Sequence, residues 1–410
     1  MESAMANIVI CADGTWNRPE EDLQKDFPTN VLKLARAIKP SGSALKQHVF
    51  YDWGLGSYHN GVGAGVAGQG IHKNILDGYR YIVQNFAHGD KIYLFGFSRG
   101  AYTVRALSGL INNCGILKRA DARLINEAWK IYKSPARQNM PQGPTATQFR
   151  EKYCHRSRKI HFVGAWDTVG ALGIPFSFMG LFQRDDEFYD TKMGANIVIA
   201  RHALAIDEQR EDFAPTIWRP RQGVDLKQVW FAGVHSDVGG SYPPDKETHL
   251  VAADVPLEWM VKEASQSGLS IEPHLLSSLT DGRMAKLHKS RNHVFRLKKP
   301  LHRCLEYADI PLNIHPSVKD RYTHDPTYRP PQLAKLVESK GWSALDILAS
   351  NVAGAFIVAR PSVLTEVLED FFCDSNETLA SAAVATIGLS TLCRTLRRPR
   401  RNAVFPKHAV

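Results

Sequence analysis

The chain has 410 residues, of which 44% are hydrophobic and 22% charged, so it is expected to fold around a sizeable core and not to be disordered. The formal net charge is +10, but five arginines (394, 397, 398, 400 and 401) crowd near the C-terminus, and we expect no nucleic-acid binding. Six scattered cysteines without a C-x-x-C pair argue against a disulfide framework and favour free thiols.

The first part of the chain reads as two buried strands separated by a helix. Ala6–Ala12 is a short apolar run rich in β-branched residues, which predicts a strand ending in a turn at Asp13. The spacing of Val31, Leu34, Ala35 and Ile38 predicts a helix over 29–38. A second strand is predicted over 48–53, and a glycine-rich stretch follows it.

Further strands and helices alternate along the chain. Helices are predicted over 71–86 and 101–111, strands over 91–97, 159–166 and 228–234, and an inserted loop over 133–158. The strands are apolar runs without polar alternation, as expected when both faces of a sheet are covered. The order therefore predicts an α/β protein with a mostly parallel central sheet and helices on both faces.

A nucleophile motif lies between the third predicted strand and its helix. Gly96-Phe97-Ser98-Arg99-Gly100 matches G-x-S-x-G, in which the serine occupies a sharp strand-to-helix turn and the flanking glycines permit close backbone contacts. The backbone N–H of Arg99 would then point at a developing oxyanion. Ser98 is the predicted nucleophile. Together with the order of strands and helices, the motif predicts an α/β-hydrolase-like fold.

A serine nucleophile needs a base and an orienting acid, which in this fold follow later strands in the order acid, then histidine. Asp167 directly follows the strand 159–166, and His235 directly follows the strand 228–234. These two are the predicted acid and base. Three further candidates remain. His202, expected on a helix beside the site, and His315 are alternative bases, and Asp237 is an alternative acid.

The turn after the first strand is expected on the same edge of the sheet. Backbone N–H groups of Gly14 or Thr15 are candidates for the second oxyanion donor, and Asp13 is a candidate for ordering that turn or the site itself. A simple Asx turn at Asp13 is the alternative interpretation.

Six motifs in order resemble one family. They are ADGTWN at 12–17, YDWGLG at 51–56, GFSRGAYTVRALSGLI at 96–111, GAWDTVG at 164–170, RHALAIDEQREDFAP at 201–215 and VWFAGVHSDVGGSY at 229–242. Over about residues 6–330 the chain resembles the catalytic domains of type VI secretion phospholipase effectors, α/β hydrolases found in bacteria and fungi. The resemblance implies a serine hydrolase with phospholipase A activity, its nucleophile at Ser98 and the glycine-rich stretch 54–70 near the site.

Several motifs that could indicate a different chemistry are discounted. The G-x-G-x-x-G at 63–68 lies too far after a strand for a dinucleotide site and is interpreted as a loop or lid. Cys11 stands where a D-x-D-G-T phosphatase would have its nucleophilic aspartate. The histidines are dispersed, and the acidic run 185–187 is interpreted as a solvated turn, so we expect neither a metal nor another cofactor.

The sequence predicts a catalytic domain over 1–330 and a helical extension with a basic tail over 331–410. The apolar stretch 379–393 is too short to span a bilayer, but with the arginines after it, it is a candidate for peripheral contact with an anionic membrane. Without a recognisable signal peptide, we expect a cytoplasmic protein as encoded, or an effector secreted without such a signal.

The function predicted from the sequence is hydrolysis of a carboxylic ester, most specifically a phospholipid, by Ser98, His235 and Asp167. A carboxylesterase acting on small soluble esters is the first alternative. A non-catalytic binding module with the hydrolase fold is the second.

Overall fold

The computed structural model describes residues 5–14, 26–39, 45–54, 65–169, 193–291 and 299–345. Seven strands form one sheet in these ranges: β1 Ala6–Ala12, β2 Lys46–Asp52, β3 Lys91–Phe97, β4 Ile160–Trp166, β5 Ile197–Ala205, β6 Asp225–Phe231 and β7 Asn313–Ile314. The helices are α1 Asn30–Ala37, α2 Gly65–Asn85, α3 Arg99–Cys114, α4 Ala122–Lys133, α5 Pro144–Tyr153, α6 His235–Gly239, α7 Asp254–Gln266, α8 Pro273–Ser278, α9 Pro316–His324 and α10 Pro331–Lys340.

The strand order is β2-β1-β3-β4-β5-β6-β7, and every neighbouring pair is parallel. All carboxyl ends therefore lie at one edge of the sheet. The chain reverses its direction of strand addition between β1 and β3, which is the position where ligands bind in open α/β sheets. The predicted α/β fold with a parallel sheet is confirmed.

Alternate residues of β1 point into two separate hydrophobic clusters, so both faces of the sheet are covered. Ile8 and Ile10 pack with residues of α2, α3 and α4. Val9 and Cys11 pack with residues of α1 and α7 on the other face. Burial on both faces explains why the strand shows an unbroken apolar run in the sequence.

A third hydrophobic cluster covers the β7 end of the sheet. Trp230 and Ile314 from the sheet pack there with Leu333 and Leu336 of α10. This helix comes after the predicted domain boundary at residue 330. Most of the predicted extension, 346–410, lies outside the described residues, as do its apolar stretch and arginines, and the boundary stays a prediction.

Three predicted elements are wrong. The G-x-G-x-x-G at 63–68, interpreted as a loop or lid, lies partly in α2, because the helix predicted to begin at residue 71 starts six residues earlier, at Gly65. The segment around His202, predicted to be helical, forms β5, because it pairs with β4 and β6 and because the buried Arg201 finds carboxylate partners in Glu263 and Asp225. The predicted loop 133–158 contains α5, whose start is favoured by Pro144 at the first helical position and whose Phe149 is buried.

None of the helices within the described ranges has a stretch of sufficient length and apolarity to cross a membrane.

Candidate active site

Ser98 occupies the turn between β3 and α3. Its backbone has φ 57° and ψ −121°, a left-handed conformation that residues with a Cβ rarely adopt. The N–H of Ser98 donates to the Trp166 carbonyl at the end of β4, 3.1 Å away, which anchors the turn against the neighbouring strand. Strained backbone of this kind is typical of a nucleophile elbow.

The two glycines of the motif are required by close backbone contacts. A Cβ on Gly96 would lie 2.4 Å from the Gly100 carbonyl oxygen. A Cβ on Gly100 would lie 2.0 Å from the Ala12 carbonyl oxygen and 2.6 Å from that of Asp13. The start of α3 therefore contacts the end of β1, which brings the Asp13–Gly14 turn beside Ser98.

Asp167 follows β4 directly and is completely buried. Its backbone also has a positive φ, 40°. The N–H of Asp167 donates to the Ala203 carbonyl (2.8 Å), and its Oδ1 accepts the N–H of Ala205 (3.0 Å), so β5 holds both its backbone and its carboxylate. The carboxylate is thus fixed at the carboxyl edge of the sheet.

His235 is the first residue of the short helix α6, just after β6. Its Nδ1 lies 2.6 Å from Oδ2 of Asp167, and its ring lies between those of Phe97 (centroids 4.6 Å apart) and Phe213 (4.9 Å). Phe97 directly precedes Ser98, so the imidazole lies beside the elbow. With the proton on Nδ1 donated to Asp167, Nε2 is left as a proton acceptor.

The electrostatics of this pair favour a neutral imidazole beside an ionised carboxylate. Burial lowers the pKa of His235, although Asp167 and Glu208 oppose that shift. Burial by itself would raise the pKa of Asp167, but the charges of Arg303 and His235 and their hydrogen bonds hold that pKa well below its usual range. His235 is therefore suited to accept a proton near neutral pH.

Two residues beside this pair were not predicted from the sequence. The guanidinium of Arg303 is buried and donates to both Asp167 oxygens, from Nη1 to Oδ1 at 2.6 Å and from Nη2 to Oδ2 at 3.0 Å. Glu208 lies within one of the six family motifs, and its Oε2 accepts the backbone N–H of His235 at 3.2 Å. The motif could have indicated Glu208, whereas no local pattern distinguishes Arg303 from the rest of the arginines in the chain.

His202 lies near Asp167 but its ring nitrogens are engaged elsewhere. Nε2 accepts the backbone N–H of Thr168 (3.1 Å), which leaves Nδ1 to donate to Oε1 of Gln228 (3.3 Å). Complete burial, with a contribution from Arg105, lowers the pKa of His202 to about 3. In the neutral ring, both nitrogens of His202 are therefore occupied by hydrogen bonds within the protein.

Asp237 and His315 each have partners outside the Asp167–His235 pair. Asp237 pairs with His288, whose Nδ1 lies 2.7 Å from Oδ1 of Asp237. His315 precedes α9, where its Nδ1 lies 2.8 Å from Oγ of Ser317 and its ring stacks on Phe231. The structure therefore does not bring Asp237 to His235 as an acid, nor His315 to Asp167 as a base.

The turn after β1 is anchored through Asp13, which is buried. Its Oδ2 accepts hydrogen bonds from the Thr29 hydroxyl (2.5 Å) and the Tyr51 hydroxyl (2.8 Å), and its Oδ1 accepts the N–H of Gly14 (2.7 Å). The Gly14 N–H is therefore donated to Asp13 in this structure. Thr15, most of the glycine-rich stretch and the acidic run 185–187 lie outside the described residues.

Arg99 begins α3. The N–H groups of the first helical turn have no partner inside the helix, so that of Arg99 is available at the elbow. Burial lowers the pKa of the Arg99 side chain to about 10.

Comparison with known proteins finds one family whose sequence model matches residues 6–263, described as the Tle1-like phospholipase effector of type VI secretion systems, catalytic domain. The match covers more than half of the chain. It ends before residue 330, the predicted end of the resemblance. Arg303 lies after it.

A curated relative from Saccharomyces cerevisiae, the uncharacterized protein YEL023C, is 28% identical over 240 residues, which are 53% of this chain and 33% of the relative. The chain thus spans about a third of that relative's length.

Three solved structures are distantly similar. An uncharacterized protein from Pseudomonas aeruginosa is 17% identical over 68% of this chain and 49% of its own, with a TM-score of 0.39. The Tle1 effector bound to the VgrG spike is 18% identical over 60% and 53%, with a TM-score of 0.34. The metagenomic carboxyl esterase MGS0156 is 11% identical over 68% and 77%, with a TM-score of 0.29. At these TM-scores the similarities add nothing to an assignment of function.

Proposed function

The chain belongs to the family of Tle1-like phospholipase effector catalytic domains of type VI secretion systems, and on this basis we propose that it is a serine hydrolase that cleaves carboxylic esters of phospholipids. One observation carries the proposal: the buried Nδ1–Oδ2 hydrogen bond of 2.6 Å between His235 and Asp167, beside the strained Ser98 turn. Ser98, Asp167 and His235 follow β3, β4 and β6, so the proposed nucleophile, acid and base all lie at the carboxyl edge of the sheet.

In the proposed mechanism, Nε2 of His235 accepts the Ser98 hydroxyl proton as Oγ attacks the ester carbonyl carbon. Asp167 remains ionised and stabilises the imidazolium through Nδ1–H. The protonated His235 then donates to the departing alcohol oxygen, and the acyl group stays on Ser98. Water loses a proton to Nε2 of His235 and attacks the acyl carbonyl carbon. As the bond to Oγ breaks and the carboxylic acid leaves, His235 returns that proton to Oγ, which regenerates Ser98.

The oxyanion formed in each step is proposed to accept the N–H of Arg99. The turn after β1 is proposed to supply the second donor. Gly14 donates its N–H to Asp13, so within that turn Thr15 is the better candidate of the two. Asp13 then acts on the turn through its bonds to Thr29 and Tyr51 and not on the substrate.

A panel of esters tests the substrate class. Wild type, S98A, H235A and H202A are assayed on short-chain soluble esters, on phospholipid vesicles and on lysophospholipids, with product fatty acid identified by mass spectrometry. Fatty acid release from phospholipid that requires Ser98 and His235 supports the proposal. Cleavage of soluble esters alone indicates a carboxylesterase, and no hydrolysis by folded wild type indicates a non-catalytic binding module.

We also propose that the basic C-terminal tail draws the enzyme to anionic lipid, because each Arg near such a surface contributes about 1 kcal/mol to binding. The test is sedimentation with vesicles containing phosphatidylserine, comparing wild type with a variant in which the five arginines (394, 397, 398, 400 and 401) are glutamine. Equal binding of the two proteins would contradict a role for the tail. A cytoplasmic location, or secretion as an effector, is likewise proposed and needs localisation by fractionation.

A further inference from the structure

Arg303 joins the proposed catalytic acid to two neighbouring parts of the site. Nη1 donates to Oδ1 of Asp167 and to the Ala205 carbonyl (2.6 and 2.8 Å), and Nη2 donates to Oδ2 of Asp167 and to the Phe213 carbonyl (3.0 and 2.6 Å). Each terminal nitrogen thus bridges the carboxylate and a backbone oxygen. The planar guanidinium therefore fixes the plane of the carboxylate relative to the end of β5 and to Phe213.

The same arrangement reaches the base. Phe213, whose carbonyl Arg303 holds, packs edge-on against the His235 ring at 4.9 Å between centroids. The Asp167 Oδ2 that Arg303 contacts is also the atom that lies 2.6 Å from His235 Nδ1. Arg303 thus contacts both the acid and the residue that forms one wall of the imidazole pocket.

Stability alone is a weak explanation for this ion pair. A buried ion pair loses hydration on both partners, and replacing such pairs with apolar residues is often neutral or stabilising. Arg303 and Asp167 are both fully buried side chains. The ion pair can, in contrast, affect the reaction rate by fixing the position of the carboxylate. Misplacing a catalytic group by about 1 Å lowers rates on the order of 100-fold.

We propose that Arg303 is a positioning residue that holds the Asp167 carboxylate in the orientation in which it accepts the Nδ1–H of His235. This inference rests on the proposed function. It extends the catalytic unit beyond residue 263, where the family match ends, because the segment that carries Arg303 completes the acid's surroundings. That segment is tied to the loop after β5 by the Leu301 N–H, which donates to the Gln209 carbonyl at 2.9 Å.

The proposal predicts a change in the titration of the His235–Asp167 pair. The charged groups around it are Arg303, Glu208 and Arg210, with His202 neutral beside Asp167. Removing the Arg303 cation leaves the carboxylate's charge less compensated, so the pair takes up its proton at higher pH. A lysine at this position keeps the charge but loses the fork that contacts both oxygens.

The test compares wild type, R303Q and R303K with R201Q as the matched control. Arg201 is also buried and paired with carboxylates, those of Asp225 and Glu263, but outside this network. Three quantities are measured. The first is thermal unfolding, and the second is the NMR titration midpoint of His235, whose signal is assigned by comparison with H235N. The third is kcat/KM for a soluble ester as a function of pH, calculated per active site that reacts with fluorophosphonate.

For R303Q we expect kcat/KM to fall by about 100-fold and the His235 midpoint and the acid limb to rise by roughly one pH unit. R303K is expected to keep the wild-type midpoint and lose rate, and R201Q to lose stability with an unchanged midpoint and limb. A wild-type rate and midpoint in folded R303Q overturns the proposal. If R303Q does not fold, R303K decides, and a wild-type rate in R303K overturns it.

The NMR titration separates this inference from the proposed function. If wild type neither hydrolyses esters nor reacts with fluorophosphonate, the serine-hydrolase proposal fails. A raised His235 midpoint in R303Q still supports Arg303 as the residue that holds the pair, and an unchanged midpoint overturns it in the inactive protein as well.

Discussion

Nε2 of His202 accepts the backbone N–H of Thr168 at 3.1 Å, one residue after Asp167. His202, on the strand next to Asp167, thus holds the backbone directly after that aspartate. A general base needs its acceptor nitrogen directed at the nucleophile. The contact indicates a structural role for His202 and supports the proposal that His235 is the base.

The His202 contact predicts opposite outcomes for two histidine substitutions. H202A leaves the buried Thr168 N–H without its partner, so we expect a loss of about 1–3 kcal/mol in the free energy of unfolding, with hydrolysis retained. H235A removes the proposed base, so we expect kcat to fall by about 10⁴-fold or more without a comparable loss of stability. Urea unfolding measures the stability of the two variants, and ester kinetics measure their activity. Abolished activity in a stable H202A protein would make His202 the base.

In the proposed mechanism, the lowered pKa of His235 sets the acid side of the pH profile of hydrolysis. The base acts in its neutral form, so activity is lost as pH falls through the pKa of His235. Because burial lowers that pKa from 6.5, we expect half-maximal kcat/KM on the acid side below pH 6.5. Rates on a non-ionising ester between pH 4 and 9 check this, and an acid limb centred above pH 6.5 would contradict it.

The stability of the protein is expected to depend on pH through His315. Burial, with a contribution from Arg283, lowers its pKa to about 3. A pKa lowered in the folded state gives stability that is complete above the unfolded pKa and decreases as pH falls below it. At pH 5 the expected loss relative to neutral pH is about 2 kcal/mol from this one group.

H315N isolates that effect, since asparagine is also a favourable residue before a helix. The free energy of unfolding is measured at pH 7 and pH 5 for wild type and H315N, so that further titrating groups, such as Asp207, affect both proteins alike. Wild type is expected to lose more stability than H315N over this interval. Equal losses would show that His315 is protonated in the folded protein.

The close approach of α3 to β1 predicts that Gly100 tolerates no side chain. In G100A the new Cβ meets the Ala12 carbonyl oxygen at 2.0 Å, so we expect a loss of about 3 kcal/mol or more and a disordered elbow. Gly223 is the control, because a Cβ there meets nothing within 4 Å and only its φ of +84° is unfavourable, at about 1–2 kcal/mol. Thermal unfolding and esterase activity compare the two; an active, stable G100A would contradict the packing described.

Local sequence was sufficient for the elbow and for the strand ends. Ser98 lies between two glycines in a motif typical of a strand-to-helix turn. Asp167 and His235 each follow an apolar run, so parallel strands place both at one edge of the sheet. These features depend on residues close in sequence. The His235–Asp167 bond could be expected from them but its length and burial could not.

The parts that sequence did not reveal depend on distant partners. Arg201 and His202 disfavour a buried strand by composition, and β5 becomes possible only because Glu263, Gln228 and Thr168 satisfy them. Arg303 lies 136 residues after the carboxylate it holds. Such pairings arise from the fold as a whole and leave no local pattern.

The most direct test of the proposed nucleophile is stoichiometric labelling by a fluorophosphonate probe, followed by mass spectrometry of the labelled peptide. One probe per chain on Ser98, absent in S98A and greatly slowed in H235A, is the predicted result. A folded wild-type protein that takes up no probe, or that carries it on another residue, would contradict the claim that Ser98 is the activated nucleophile.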